Sequence, residues 1–261
     1  MHFRKFAISG AAFAISVAGA ALAQEPSKNY VTLSGGVSLL MDSENEGAFN
    51  GAFTTGEGTT IPSGVVLPDG TPVGWTTDFD TGYSIGAAIG RRYGAIRGEL
   101  EVAWQRNGVE THYDVVAGGI PLADEDAGVL ITGSSNIGAS VADVVSAGEG
   151  NVRTIFVMAN AIYDFRNSSS VTPYIGAGAG VGFVDVNFAP SGVTIIDDNA
   201  TEFAWQVMAG ASWRMTESTE LYAGYRYRAT SDTSVSADLF SANLDIENKA
   251  SLVEAGLRWS F

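Results

Sequence analysis

The chain has no cysteine in its 261 residues, which removes disulfides and thiol chemistry from its repertoire. Positive charge is scarce. Fourteen Lys and Arg stand against 29 Asp and Glu, a formal net charge of −15. That balance argues against nucleic acid as a partner, because a phosphate backbone is bound by a basic surface. No segment after the N-terminus approaches the roughly 18 apolar residues of a membrane-spanning helix. Helical periodicity is lacking as well. Only 7 prolines occur, and no Pro- or Ser-rich linker divides the chain.

What is present begins with an export pattern. Arg4 and Lys5 precede an uncharged, Ala-rich stretch from Phe6 to Ala20, and Ala21-Leu22-Ala23 offers a small-x-small cleavage site. This three-part arrangement predicts a cleaved secretory signal over residues 1–23, leaving one domain over residues 24–261. With no spanning helix, a chain exported this way can enter a membrane only as a closed barrel, since open strand edges cannot be satisfied in lipid.

The C-terminal thirteen residues alternate without a break. Ser251, Val253, Ala255, Leu257, Trp259 and Phe261 share one face; Leu252, Glu254, Gly256, Arg258 and Ser260 share the other. Period two is the strand signal, and a tilted strand crosses a bilayer in roughly 9–11 residues. Seven further segments alternate in the same way: 30–41, 82–92, 96–106, 153–165, 203–214, 220–229, and one beginning after Pro173, which is expected at that strand's start. One face of these segments is aliphatic and aromatic. The other is Gly, Ser and Ala with interspersed charges, a poor hydrophobic core. Aromatics gather at strand ends, with Tyr163, Phe165, Trp213, Trp259 and Phe261 at one rim and Trp104, Phe183, Phe203 and Tyr227 at the other. Two aromatic belts flanking an aliphatic band predict a lipid-facing surface. In this register Arg91 and Arg106 are the charges expected outward, at strand ends where they snorkel.

The connections alternate in length. Residues 93–95, 166–172 and 215–219 are short, whereas 42–80, 108–151, 187–201 and 231–248 are long. The long ones hold seven, seven, two and four acidic residues in turn, 20 of the 29, and none of the Lys or Arg. Short periplasmic turns and longer extracellular loops are the barrel asymmetry, so an anionic extracellular cap is expected, with both termini periplasmic.

Several segments resemble one family. Thr172-Pro173-Tyr174-Ile175-Gly176-Ala177-Gly178-Ala179-Gly180, Ala204-Trp205-Gln206 with Gly210, and Gly224-Tyr225-Arg226-Tyr227 are similar to the small outer-membrane β-barrel family, comprising OmpA-type transmembrane domains and opacity-like surface proteins. Met158-Ala159-Asn160-Ala161 with Tyr163-Asp164-Phe165, and the closing Gly256-Leu257-Arg258-Trp259-Ser260-Phe261, match too. The likeness runs from about residue 30 to the end and omits the long loops. It implies an all-β, eight-stranded antiparallel up-and-down barrel in a Gram-negative outer membrane, bordered by lipid and lipopolysaccharide. It also implies that Leu257, Trp259 and Phe261 form the signal read by the barrel-assembly machinery. Unlike full-length OmpA-type proteins, this chain is not expected to carry a peptidoglycan-binding domain or to be anchored to the cell wall.

Chemistry has few candidates. After signal removal His112 is the one histidine; it is expected in the acidic second loop, solvated between Glu110 and Asp114, rather than beside a nucleophile. Arg97, Glu99, Glu101, Asn160, Gln206, Glu220, Arg226, Arg228, Glu254 and Arg258 fall on the polar face and are expected to form a network in the lumen rather than an acid–base site. The runs Asp124-Glu125-Asp126 and Asp197-Asp198 lack the EF-hand spacing and are expected to be solvated. No cofactor or metal site is expected. The leading expectation is a non-enzymatic outer-membrane protein whose acidic loops serve envelope integrity and meet surface or host ligands. A small porin is the alternative, although eight strands leave an interior only wide enough for side chains. A lipid-modifying barrel enzyme is the remote one.

Overall fold

Strand alternation has a structural consequence in lipid, where every backbone group must find a partner inside the protein. A computed structural model of the chain describes residues 27–237 and 239–261; the expected signal sequence lies outside the described residues. Eight long strands run Lys28–Leu40 (β1), Gly82–Tyr93 (β2), Ile96–Ala117 (β3), Gly150–Asp164 (β4), Val171–Phe188 (β5), Ile196–Arg214 (β6), Thr219–Thr230 (β7) and Lys249–Ser260 (β8). Each pairs antiparallel with the next, and β8 returns to β1 from Ala250↔Leu40 to Ser260↔Tyr30. The ring closes and leaves no strand edge.

Burial is inverted in this ring. Outward apolar side chains such as Leu33, Ile85, Leu100 and Val253 are each more than half exposed. A continuous apolar belt of this extent marks contact with lipid rather than water. Tyr163, Phe165, Trp213 and Phe261 are exposed at the short-turn rim, and Phe183 and Phe203 at the other. Arg153 joins Arg91 and Arg106 on the outer face, beyond the two expected: it stands opposite Arg106 across the β3–β4 ladder and shares the parity of Ile155. Pro173 lies two residues inside β5 rather than at its start. Its carbonyl accepts from Phe165 N, one residue past the end of β4, so its missing N–H falls outside that ladder.

The lumen is packed by side chains. Tyr30, Tyr174 and Tyr222 are buried there, and glycines on neighbouring strands make room for their rings. A Cβ at Gly256 would lie 2.6 Å from the Tyr222 ring, and one at Gly224 2.6 Å from the Tyr174 hydroxyl. Glycine is demanded here by close approach.

Three strands continue beyond the belt, where the pattern reverses. In β5 the inward residues are Gly176, Gly178, Gly180 and Gly182 within the barrel, then Val184, Val186 and Phe188, all buried. The outward residues change from Ile175 and Phe183 to Asp185 and Asn187. That switch from lipid-facing to water-facing marks the membrane boundary. Above it the long connections, expected as loops, form an ordered cap. The strands Thr233–Ala237, Ala242–Ile246, Ser43–Phe49 and Pro72–Phe79 pair in that order and join the far half of β3. The cap has a hydrophobic core of its own, including Phe49, Trp75, Phe79, Val129, Phe188, Ile196 and Leu244.

Candidate functional site

The two polar features of the molecule are the lumen network and the cap. Every network residue arrives in the lumen through strand parity, since residues two apart share a face. Toward the long-loop end, Glu101 accepts from Arg226 Nη1 at 2.6 Å, Arg228 Nη2 at 2.8 Å, Asn160 Nδ2 at 2.7 Å and Gln206 Nε2 at 3.1 Å. Arg226 Nη2 also reaches Glu254 at 2.7 Å. Toward the short turns, Arg97 bonds Glu99 and Asp164, while Arg258 Nη1 donates to Glu220 at 2.7 Å. Arg228 lies over Phe156 at 4.4 Å, and Arg258 over Tyr222 at 5.1 Å, contacts that favour a guanidinium over an ammonium.

Three participants were not among the sequence candidates. Arg92 makes a two-pronged bond to Glu220, 2.9 Å at each oxygen; Asp164 receives Arg97; Tyr30 Oη donates to Glu99 at 2.8 Å. Their parity signalled them, for each shares the face of the residues above. In all, Arg92, Arg97, Arg226, Arg228 and Arg258 meet Glu99, Glu101, Asp164, Glu220 and Glu254, so positive and negative charges match across these ion pairs. Leu257 and Trp259 sit on the outer face of β8, opposite Leu33 and Val31, and Phe261 N donates to Asn29 O at 2.9 Å.

In the cap the structure corrects two expectations. His112 is on β3, not in a loop, and is 2% exposed rather than solvated. Regular alternation would put Glu110, His112 and Asp114 on one face. Register shifts against Pro72–Phe79 on both sides of His112, with Asp114 at φ +54°, turn the histidine inward and leave both acids exposed. Its Nδ1 meets Thr77 Oγ1 at 2.8 Å, and its ring packs against Trp75 and Phe188. Burial pushes its pKa down to about 4, so it is neutral at pH 7.

Nor are Glu125 and Asp126 solvated: both are buried loop organisers. Asp126 accepts from the backbone N–H groups of Ile137, Gly138 and Gly128 at 2.8–2.9 Å. Glu125 accepts from Thr60 N, Ile61 N and the Thr60 hydroxyl. These hydrogen bonds, led by Thr60 for Glu125 and by Ile137 for Asp126, hold both carboxyls below the usual range. Asp124 is exposed, and Asp198 Oδ2 accepts from Ser236 N at 3.0 Å.

The remaining acids form the surface. Glu44, Glu46 and Asp245 are exposed, with Glu46 directly opposite Asp245 across the ladder.

A closed eight-stranded ring, a lipid-facing belt and a filled polar lumen define a small outer-membrane β-barrel protein. Within that class the chain belongs to the surface antigen family, whose sequence model matches residues 73–253. It is 33% identical over 97 residues to the outer membrane protein PagN of Salmonella typhimurium, covering 35% of this chain and 41% of that protein. The chain thus spans well under two thirds of that relative's length. Among solved structures it is similar to Neisserial surface protein A (18% identity, TM-score 0.45, covering 91% of this chain and 100% of the other). It is also similar to the attachment invasion locus protein Ail of Yersinia pestis (14% identity, TM-score 0.35, covering 89% and 99%).

Proposed function

We propose that this protein is a non-enzymatic outer-membrane anchor that displays an acidic cap outside a Gram-negative cell, its short turns and termini facing the periplasm. The observation that carries the reading is the Glu44–Glu46–Asp245 face. Like charges directly opposite on a sheet are destabilising, and no Lys or Arg occurs in the four long connections to offset them. A surface kept anionic at that cost suits a basic partner, and host or matrix proteins with cationic faces are its ligand class. At the membrane boundary the belt meets lipid and lipopolysaccharide, supporting envelope integrity. The C-terminal residues Leu257, Trp259 and Phe261 serve the assembly machinery.

Catalysis is not favoured by the geometry around His112. Its Nδ1 partner is a threonine hydroxyl rather than an orienting carboxylate, and the flanking acids lie on the other side of the strand.

Cells displaying the wild-type protein and the triple variant Glu44→Gln, Glu46→Gln, Asp245→Asn are compared for adhesion to immobilised polylysine. The variant is expected to lose several-fold in retention, and wild-type adhesion to weaken steeply with salt. Equal adhesion of the two strains would sink the acidic-display reading.

A further inference from the structure

The cap encloses a cavity of about 310 Å³, at the small end of the range for small-molecule sites. Its walls are apolar, with Phe49, Trp75, Val115, Leu122, Val129 and Phe240 contributing, and its rim carries the exposed Val65 and Ile120. Two threonine hydroxyls on the wall are already engaged. Thr55 Oγ1 donates to Pro62 O and accepts from Val65 N, while Thr60 Oγ1 is bonded to Glu125. His112 lines this cavity, and among the described residues its Nε2 is the buried side-chain polar atom of the lining that has no partner.

A hydrogen-bond relay determines what that nitrogen offers. The backbone N–H of Glu247 donates to Ser43 Oγ at 2.9 Å, so Ser43 turns its own hydrogen to Asn45 Oδ1, also at 2.9 Å. With its oxygen so occupied, Asn45 presents its Nδ2 to Thr77 Oγ1 at 2.6 Å. The Thr77 hydroxyl hydrogen is then left for His112 Nδ1 at 2.8 Å. A neutral imidazole whose Nδ1 accepts carries its hydrogen on Nε2. The cavity is therefore greasy, with one fixed side-chain donor, that of His112, available at its wall.

That combination suits neither water nor an ion. A buried water makes about three hydrogen bonds and would find one here. A charged group would lose its hydration with no counter-charge on the wall. We propose that the cap cavity binds an uncharged apolar molecule bearing one hydrogen-bond acceptor, such as a ketone or ester oxygen on an aryl or alkyl body, with His112 Nε2–H as its donor. The relay sets the donor before the ligand arrives, so little ordering is required on binding.

His112 and His2 are the chain's two histidines, so ¹⁵N-histidine labelling reports this site with at most one other signal. The refolded full chain in lipid nanodiscs is titrated with 2-acetylnaphthalene and with 2-ethylnaphthalene, which has the same body and no acceptor. The free protein should show a protonated Nε2, and the acetyl compound should shift it and bind about ten-fold tighter than the ethyl compound. His112→Phe should abolish that preference, and Leu67→Trp, which crowds the cavity, should weaken both ligands. An unprotonated Nε2, an unshifted signal, or equal affinity for the two naphthalenes overturns the proposal. The wild-type spectra decide it even if a variant fails to fold.

Discussion

Glu101 shows most clearly how single residues hold the barrel. Among the described residues it is the sole carboxylate paired with Arg228 and one of two paired with Arg226. Glu101→Ala leaves a buried guanidinium without compensation, a loss of roughly 3–5 kcal/mol. Urea unfolding of the refolded barrel should show it as a lowered midpoint. Replacing Glu101 and Arg228 together by Leu should cost less than the single change, because no orphan charge remains. His112 gives a pH dependence. Its folded pKa of about 4 lies below the ordinary value of 6.5, so the unfolded chain binds the extra proton as pH falls. The stability this histidine leaves intact above pH 6.5 is eroded progressively toward pH 4, by about 3 kcal/mol in total. Glu125 and Asp126, with lowered pKa values, act in the same direction at still lower pH. Limited proteolysis between pH 7 and 4.5 should therefore release cap fragments from the wild-type protein sooner than from His112→Phe.

At the scale of elements, the barrel strands were legible because lipid imposes one rule on all of them: apolar outward, small or charged inward, two residues per repeat. Arg97, Glu101, Gln206 and Arg228 could be placed in the lumen by parity alone. The cap was not legible in the same way. Its strands are short, from two to eight residues outside the long ring strands, and its pairs are remote, as with Asp245 and Glu46. Local alternation carries no trace of such pairing, and the bulges flanking His112 invert the parity on which the reading depends. One signal was present: the change from Gly to Val and Phe on the inner face of β5 at Val184 announces a dry interior above the barrel. The last strand illustrates a different role. Phe261 is 72% exposed and makes one backbone bond to Asn29, so its side chain adds little to the folded barrel. Deleting it should lower the amount of protein assembled in the outer membrane while leaving the stability of the assembled fraction nearly unchanged. Normal assembly levels in pulse-chase fractionation would count against its role as a signal.

The whole molecule is a filled cylinder under a folded, anionic cap. Two layers of arginine–carboxylate pairs with buried tyrosines occupy the lumen, so purified protein in planar bilayers should show no steady open channel; a sustained, sizeable conductance would restore the porin reading. The central claim is the orientation of this cylinder, and the absence of cysteine makes it directly measurable. Single cysteines at Glu44 in the cap and Ser218 in a short turn are treated on intact cells with a membrane-impermeant maleimide. Labelling of Glu44→Cys with protection of Ser218→Cys until the outer membrane is permeabilised is the result expected. Labelling of Ser218→Cys on intact cells, with Glu44→Cys protected, would contradict the account.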